Sequence, residues 1–490
     1  MTVFLIFFPL LASLLLFLLK PVQAKVIAFI VSLIELIVSL MIAFQFNEGQ
    51  LIPQYGIDIP WISTLGLNFA VGMDGISLLL VLLTTLLVPL IILSSFSHQY
   101  SKPSTFYGLI LMMQMALIGV FSAQDGLLFY LFWEVALIPI YFICLIWGGE
   151  DRARITLKFF IYTLAGSLFM LVGLVYLYLH TSGQHTFAMQ ALYEAGRALP
   201  AHEQGLVFWA LFVAFAIKMP IFPFHTWQPD TYTVAPVQGT MLLSGIMLKM
   251  GIYGVIRWLI PVVPEGVAEW GFTAVTISVI GIIYGSCIAI VQKDFKRLIA
   301  YSSIAHVGLI SAGTLTLSTT GVQGAMIQML SHGIIVFGLF FIVDIVSQRT
   351  NTRMLSSLGG IRNAAPTLAT VFMIIMLGSV ALPLTSGFIG EFLLINSIFQ
   401  YQHILGAVAG LTIILGAVYM LRTFQKSMSG ELNAVTTGFA DLTTHEKWVL
   451  YPVVLLVIII GIYPAPLLDL SEPAVANLLK IYSNMSASIK

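Results

Sequence analysis

Apolar runs of about twenty residues follow one another along almost the whole chain, and a helix needs about that length to cross a bilayer. In hydrocarbon a backbone N–H or C=O has no water to bond, so each segment must satisfy its own polar groups. A chain written this way folds as a bundle of membrane-crossing helices. Charge agrees: 9% of the 490 residues are charged and 59% hydrophobic, against about a quarter charged in a soluble domain. The sequence predicts an all-α polytopic membrane protein. Its spans are predicted at residues 3–19, 26–46, 72–95, 106–122, 127–147, 158–180, 206–224, 236–259, 271–291, 297–316, 321–346, 366–400, 403–425 and 448–467, fourteen in all. The opening run has no basic residues before it and reads as a first span, not a cleaved leader.

Lys and Arg collect in cytoplasmic loops, which tests the count. Fifteen of the 21 fall in loops after odd-numbered spans, while Arg197 and Arg257 follow even-numbered ones. Lys480 and Lys490 lie in a short C-terminal tail, and Lys218 and Lys249 lie inside spans. The bias puts both termini outside and the odd-numbered loops inside.

The stretch from Lys218 to Lys249 holds the sharpest exception to the apolar rule. Lys218 ends the run WALFVAFAIK, Pro220 and Pro223 follow, and Lys249 sits inside the next run. An ammonium in the membrane costs roughly 3 kcal/mol on insertion scales, and two of them call for a function that moves charge. The seventh span is thus broken. So is the twelfth, where Pro383 and Gly387 precede Glu391. Five spans separate the two breaks. Helices 4–8 and 9–13 then form two five-helix repeats, which an odd helix number forces into opposite topologies, and broken helices at matching places mark transport sites. The expected layout is an N-terminal three-helix segment (1–100), a first repeat (101–260), a second, inverted repeat (261–426), and a C-terminal helix and tail (427–490). The bland alternative is that Pro and Gly merely kink two helices.

Other ionisable residues lie in the apolar runs. They are Glu35, Glu134, Glu391, His306 and His332; Asp74 and Asp344 sit near span ends and read as interfacial. Glu134 and Lys218 have opposite signs and, if paired, each keeps the other ionised; making and breaking the pair gives a proton-loading switch. Lys249, His306 and His332 supply titratable stations, and Glu391 closes the row. The sequence leaves open whether Glu35 meets a partner outside the chain. Cys144 and Cys287 lie in apolar runs and read as small buried hydrophobes. No P-loop, dinucleotide fingerprint or metal motif is present, so no cofactor is expected in this chain. Zero net charge gives no sign of nucleic acid. Alternating signs suit a pump or exchanger better than a pore. A membrane scaffold whose buried charges only pair is the rival of another class.

These residues stand in recognisable surroundings: DGLLFYLFWEVALIPIYF around Glu134, KFFIYTLAGSLFML from Lys158, KMPIFPFHTWQPD from Lys218, GTMLLSGIMLKMGIYG around Lys249, KDFKRLIAYSSIAHVG from Lys293, MLSHGI around His332 and GFIGEF around Glu391. Over nearly its whole length the chain resembles the antiporter-like subunits of proton-translocating NADH–quinone oxidoreductase, respiratory complex I. It is most similar to the M type: Glu391 stands where the L and N types have lysine, and no long lateral helix follows the last span. The resemblance implies outward proton movement through Glu134, Lys218, Lys249, His306, His332 and Glu391, coupled to quinone reduction elsewhere. It places NADH, FMN, iron–sulfur clusters and quinone in other subunits, and membrane-arm subunits, including other antiporter-like ones, as partners in a cell inner membrane. The alternative is a subunit of a multisubunit Na⁺(K⁺)/H⁺ antiporter or a related membrane-bound hydrogenase. One departure stands out. After the broken helix this chain reads PDTYTVAP, with Tyr232 and Val234 at positions where the M type has a histidine and an acid.

Overall fold

The computed structural model describes residues 1–20 and 22–488; Lys490, assigned above to the tail, lies outside them. The chain opens with α1 (Thr2–Leu19) and α2 (Ala24–Phe44). The hairpin β1 (Gln54–Ile62) and β2 (Leu67–Met73) follows, then α3 (Gly75–Ser94) and α4 (Pro103–Ser122). Next come α5 (Gly126–Val135), α6 (Leu137–Trp147), α7 (Arg152–Leu179), α8 (Met189–Ala198), α9 (Ala201–Lys218), α10 (Gln228–Val234), α11 (Val237–Leu242) and α12 (Lys249–Gly254). The second half holds α13 (Pro264–Val291), α14 (Phe295–Thr314), α15 (Thr319–Thr350), α16 (Ile361–Ala364), α17 (Pro366–Ser379), α18 (Ser386–Tyr401), α19 (His403–Met428), α20 (Thr444–Ile462) and α21 (Ala465–Ser488).

The result is a mostly helical membrane protein. Among the described residues, eleven helices are long and apolar enough to cross a bilayer. Three predicted spans fall short of that measure for visible reasons. The start of α9 is diluted by AHEQ, the start and middle of α14 carry Lys296, Arg297, Ser302, Ser303 and His306, and α17 and α18 are halves of one interrupted segment. The two central helices, Val237–Leu259 and α15, each have an 18-residue stretch that is wholly buried, whereas only a third of such a stretch is buried in α1 and α2.

Both predicted breaks are present. Helix α9 stops at Lys218, and α10 restarts at Gln228 after the two prolines. Between α17 and α18 the backbone turns through Ala381 and Leu384, both left-handed at φ 56° and 71°, conformations that cost a non-glycine residue free energy. Two further irregularities lie outside the predicted breaks. The helix over Val237–Leu259 widens into π turns at Leu243–Met247 and Val255–Leu259, flanking Lys249. Helix α5 gives way to α6 at Ala136, where the ring of Pro139 crowds the carbonyl four residues back.

Several expectations need correction. The third span starts at Gly75, not 72, because the preceding residues pair in the hairpin, with Asp58 opposite Ala70 and Ile59 opposite Phe69. Gly66 turns the hairpin at φ 59°, with the His185 carbonyl where a Cβ would stand. The last predicted span is α20, and the supposed tail is the helix α21, packed on α3 and α15. Cys144 is buried as expected, but Cys287 is exposed on α13. Lys296, counted as a loop residue, is buried in the first turn of α14 and donates to the Ala235 carbonyl at 2.6 Å.

Candidate functional site

Lys249 is fully buried between the two π turns. A π turn shifts the backbone register by one residue, which leaves the Ser244 carbonyl free to accept from Lys249 Nζ at 2.7 Å. The same nitrogen lies 2.9 Å from His332 Nδ1 on α15. A charged Lys249 has only donors, so His332 accepts at Nδ1 and carries its proton on Nε2. That Nε2 meets Ser303 Oγ of α14 at 3.0 Å. Each contact therefore has one donor and one acceptor, and the row can hand a proton on by reversing them.

Beyond Ser303 stands His306, one turn along the same helix, its ring centroid 5.7 Å from that of His332. His306 Nδ1 lies 3.0 Å from Glu391 Oε1 of α18, though without the alignment of a good hydrogen bond. Gln328 Nε2 of α15 approaches the same oxygen at 3.4 Å. These groups line a cavity of about 20 Å³. That is room for about one water, and the walls offer enough polar partners to hold it. Four helices thus bring Lys249, His332, His306 and Glu391 into one buried row.

Glu134 and Lys218 are arranged differently. Lys218 is buried at the end of α9, its Nζ 5.1 Å from the centroid of the Trp133 ring, a cation–π contact. Glu134, the next residue of α5, is half-buried with Oε1 unpartnered. Among the described residues no ion pair within 4.0 Å joins the two; the indole of Trp133, not a carboxylate, faces the ammonium. Towards Lys249 the path is apolar. Phe215 and Met219 at the end of α9 pack on Gly251 and Gly254 of α12.

The acids first placed at interfaces are partnered. Asp74 caps α3 by accepting from Ser77 N at 3.0 Å and forms a buried ion pair with Arg257. Asp344 lies 2.7 Å from His98. Glu35 turns inward on α2, fully buried, with neither oxygen partnered. His225 is buried against Phe222 and Tyr284. Sequence reasoning missed Ser303, Gln328 and Trp133. Helical spacing was the available signal: Ser303 precedes His306 by three and Gln328 precedes His332 by four, the intervals that share a helix face.

Among the described residues no group of three or more His, Cys, Asp or Glu side chains is placed to hold a metal ion. The family model described as NADH:quinone oxidoreductase/Mrp antiporter, TM, matches residues 123–416. Subunit M of NADH-quinone oxidoreductase from Rickettsia conorii is 41% identical over 461 residues, covering 94% of this chain and 93% of that one. The Rhodobacter capsulatus subunit M is 38% identical over 94% of this chain and 91% of its own. A chain of the Thermus thermophilus respiratory complex I with bound NADH superposes with a TM-score of 0.89 at 31% identity, covering 98% of this chain and all of that one. A chain of the Mrp complex from Dietzia sp. shares the fold, with a TM-score of 0.86 at 20% identity over 98% of this chain and 97% of its own. The chain belongs to the NADH:quinone oxidoreductase/Mrp antiporter family of membrane subunits, on its subunit M branch.

Proposed function

We propose that this chain carries protons across the membrane as the M subunit of an NADH–quinone oxidoreductase, with the redox chemistry in other subunits. The observation that supports the reading best is the buried row Lys249–His332–Ser303–His306–Glu391, whose three titratable residue types sit at or near hydrogen-bond distance around a water-sized cavity. A scaffold needs buried charges only in satisfied pairs. Here Glu134 Oε1 and His306 Nδ1 lack aligned partners, as groups that exchange protons do.

In this reading Lys218 is the loading group. It leaves Trp133 to pair with Glu134 in one state and returns in the other, and the change in its electrostatic surroundings drives a proton towards Lys249. Lys249 passes it to His332 Nδ1, the Nε2 proton moves through Ser303 and the cavity to His306, and Glu391 releases it. Counting α9, α14 and the α17–α18 pair as spans gives fourteen, and the breaks beside Lys218 and Glu391 then fall at matching places in two inverted five-helix repeats. Both termini face outside, the basic loops face the cytoplasm, and other membrane-arm subunits of the cell inner membrane are the partners. NADH, flavin, iron–sulfur clusters and quinone bind in those and peripheral subunits. A cation/proton antiporter subunit is the second reading, favoured by the fold shared with the Mrp chain.

The test uses inverted membrane vesicles with wild type or Lys218→Met, following NADH-driven quinone reduction and lumen acidification together. Loss of acidification, with quinone reduction falling alongside while the complex stays assembled, supports the reading. Unchanged rates of both would make the lysine structural and refute it.

A further inference from the structure

A cavity of about 510 Å³ opens on the face that carries the basic loops. Its rim includes exposed Glu150 and half-exposed Arg353, and its floor includes the buried Lys296 and Asp344. The end of α10, the link after it and the first residue of α11 bring Thr233, Val234, Ala235, Pro236 and Val237 to the wall, none of which exchanges protons. The imidazole and the buried carboxylate there come instead from the link between α3 and α4 and from α15.

They are His98 and Asp344. His98 Nε2 lies 2.7 Å from Asp344 Oδ2 and 2.7 Å from Gln348 Nε2, and the Gln348 amide also donates to Asp344 Oδ2 at 2.9 Å. The carboxylate fixes which end of that amide points inward. One imidazole nitrogen thus has a donor and an acceptor at equal distance. Unprotonated, Nε2 accepts from Gln348; protonated, it donates to Asp344. Both states are satisfied, so the proton can come and go without stranding a polar group. The two residues also form a step inward, because the His98 side chain is 22% exposed and that of Asp344 is 6%.

The next polar groups lead onto the helix that holds Lys249. Tyr100, on the same cavity wall, donates to Gln238 Oε1 at the start of α11. Gln238 is fully buried and its Nε2 has no partner. Its helix continues to Ser244, whose carbonyl holds Lys249, about 9 Å further along the axis.

We propose that His98 and Asp344 form the proton-uptake pair of this chain. His98 takes a proton from the bath at Nε2 and passes it to Asp344 Oδ2, which is neutralised as the imidazole returns to its neutral form. From Asp344 the proton moves on towards Lys249, with Tyr100 and Gln238 as polar groups beside the way and not as carriers. Besides Asp344, the charged groups that face the pair are Lys296 of α14, Arg353 beyond α15 and Glu150 of the α6–α7 link; His445 of α20 stacks on Phe96 nearby. The proposal rests on the proton-carrier reading above.

The test uses the assembled complex in inverted vesicles, where the basic face meets the bath and its pH is set directly. Wild type, His98→Gln, Asp344→Asn and Lys218→Met are compared across bath pH from about 6 to about 8. Each of the first two variants keeps a hydrogen-bonding group but cannot titrate. The expected result is slower acidification per assembled complex, with a defect that grows as protons become scarcer and reaches on the order of tenfold at the high end. A purely structural tie changes assembly and leaves the pH profile alone. Wild-type pH dependence in either variant, alongside an inactive Lys218→Met, overturns the uptake pair and spares the carrier reading. An active Lys218→Met overturns the carrier reading itself. Should Asp344→Asn fail to assemble, His98→Gln, at a partly exposed loop position, decides the matter.

Discussion

Glu391 is flanked by His306 on one side and Gln328 on the other, and in the proton-carrier reading its carboxyl is the group that releases the proton. Glu391→Gln keeps the shape and one acceptor but removes the titration. NADH-driven acidification in vesicles should fall by about tenfold or more, with the amount of assembled complex unchanged on native gels. Asp441, in the link before α20, has a different task. It accepts from the backbone of Thr367 and Leu368 at the start of α17, at 3.0 and 2.9 Å, and so caps that helix from a distance. Burial pushes its carboxyl up, but the bonds from Thr367, Leu368 and Leu442 outweigh burial and hold it below the usual range. A carboxyl lowered by folding stabilises at pH above its ordinary value of about 3.9 and loses that contribution as pH falls through the folded value. Asp441→Asn should therefore cost about 1 kcal/mol at neutral pH, as lost caps do. The gap from wild type in thermal melts of the solubilised protein should close as pH drops below about 4. The residue scale was largely legible in sequence: the six residues proposed as a relay stand out because each is an expensive group in an apolar run. Ser303 showed only through its spacing from His306, and Trp133 was not legible, because a tryptophan in a membrane helix is common and only the neighbour across the interface gives it a role.

At the scale of elements, the irregular segments hold the buried Lys218 and Lys249. The break after α9 presents Lys218 at a helix end, and the π turns around Lys249 free the carbonyl that holds it. Breaks caused by proline are readable, since a missing N–H and a ring clash follow from residue type. The π turns are not, because LSGIM and VIRWL have no residue that demands one; the register shift is imposed by the packed neighbours. The same packing explains Gly251. A Cβ there would stand 2.7 Å from the Phe215 carbonyl oxygen and 2.8 Å from Met219 N, backbone atoms that cannot move aside. Gly251→Val should push α12 off the end of α9 and cost about 1–3 kcal/mol. The outcome to look for is a lowered melting temperature together with slowed acidification, since the displaced end carries Lys218; a normal rate at normal stability would show that the two lysines do not depend on this contact.

At the scale of the whole molecule, the N-terminal three helices are tied to the central one by a charge pair. Asp74 begins α3 and Arg257 lies in the second π turn, both buried. Removing one partner of such a pair leaves the other uncompensated, so Asp74→Ala should destabilise by about 3–5 kcal/mol, whereas replacing Asp74 and Arg257 together by Leu and Met should recover most of the loss. Thermal melts of the purified complex distinguish the two. The sequence by itself determined that the chain is a membrane bundle, roughly where its helices run, and which charged residues lie within them. Hydropathy and the distribution of Lys and Arg are sums over single residues, and a linear chain reports them without folding. Only the tertiary structure decided that Lys249, His332, His306 and Glu391 meet in one row, that Lys218 rests on Trp133 and not on Glu134, and that Asp74 and Asp344 are partnered by Arg257 and His98. Those contacts depend on how each helix is rotated and slid against its neighbours, and that is fixed by side-chain packing between segments far apart in the chain.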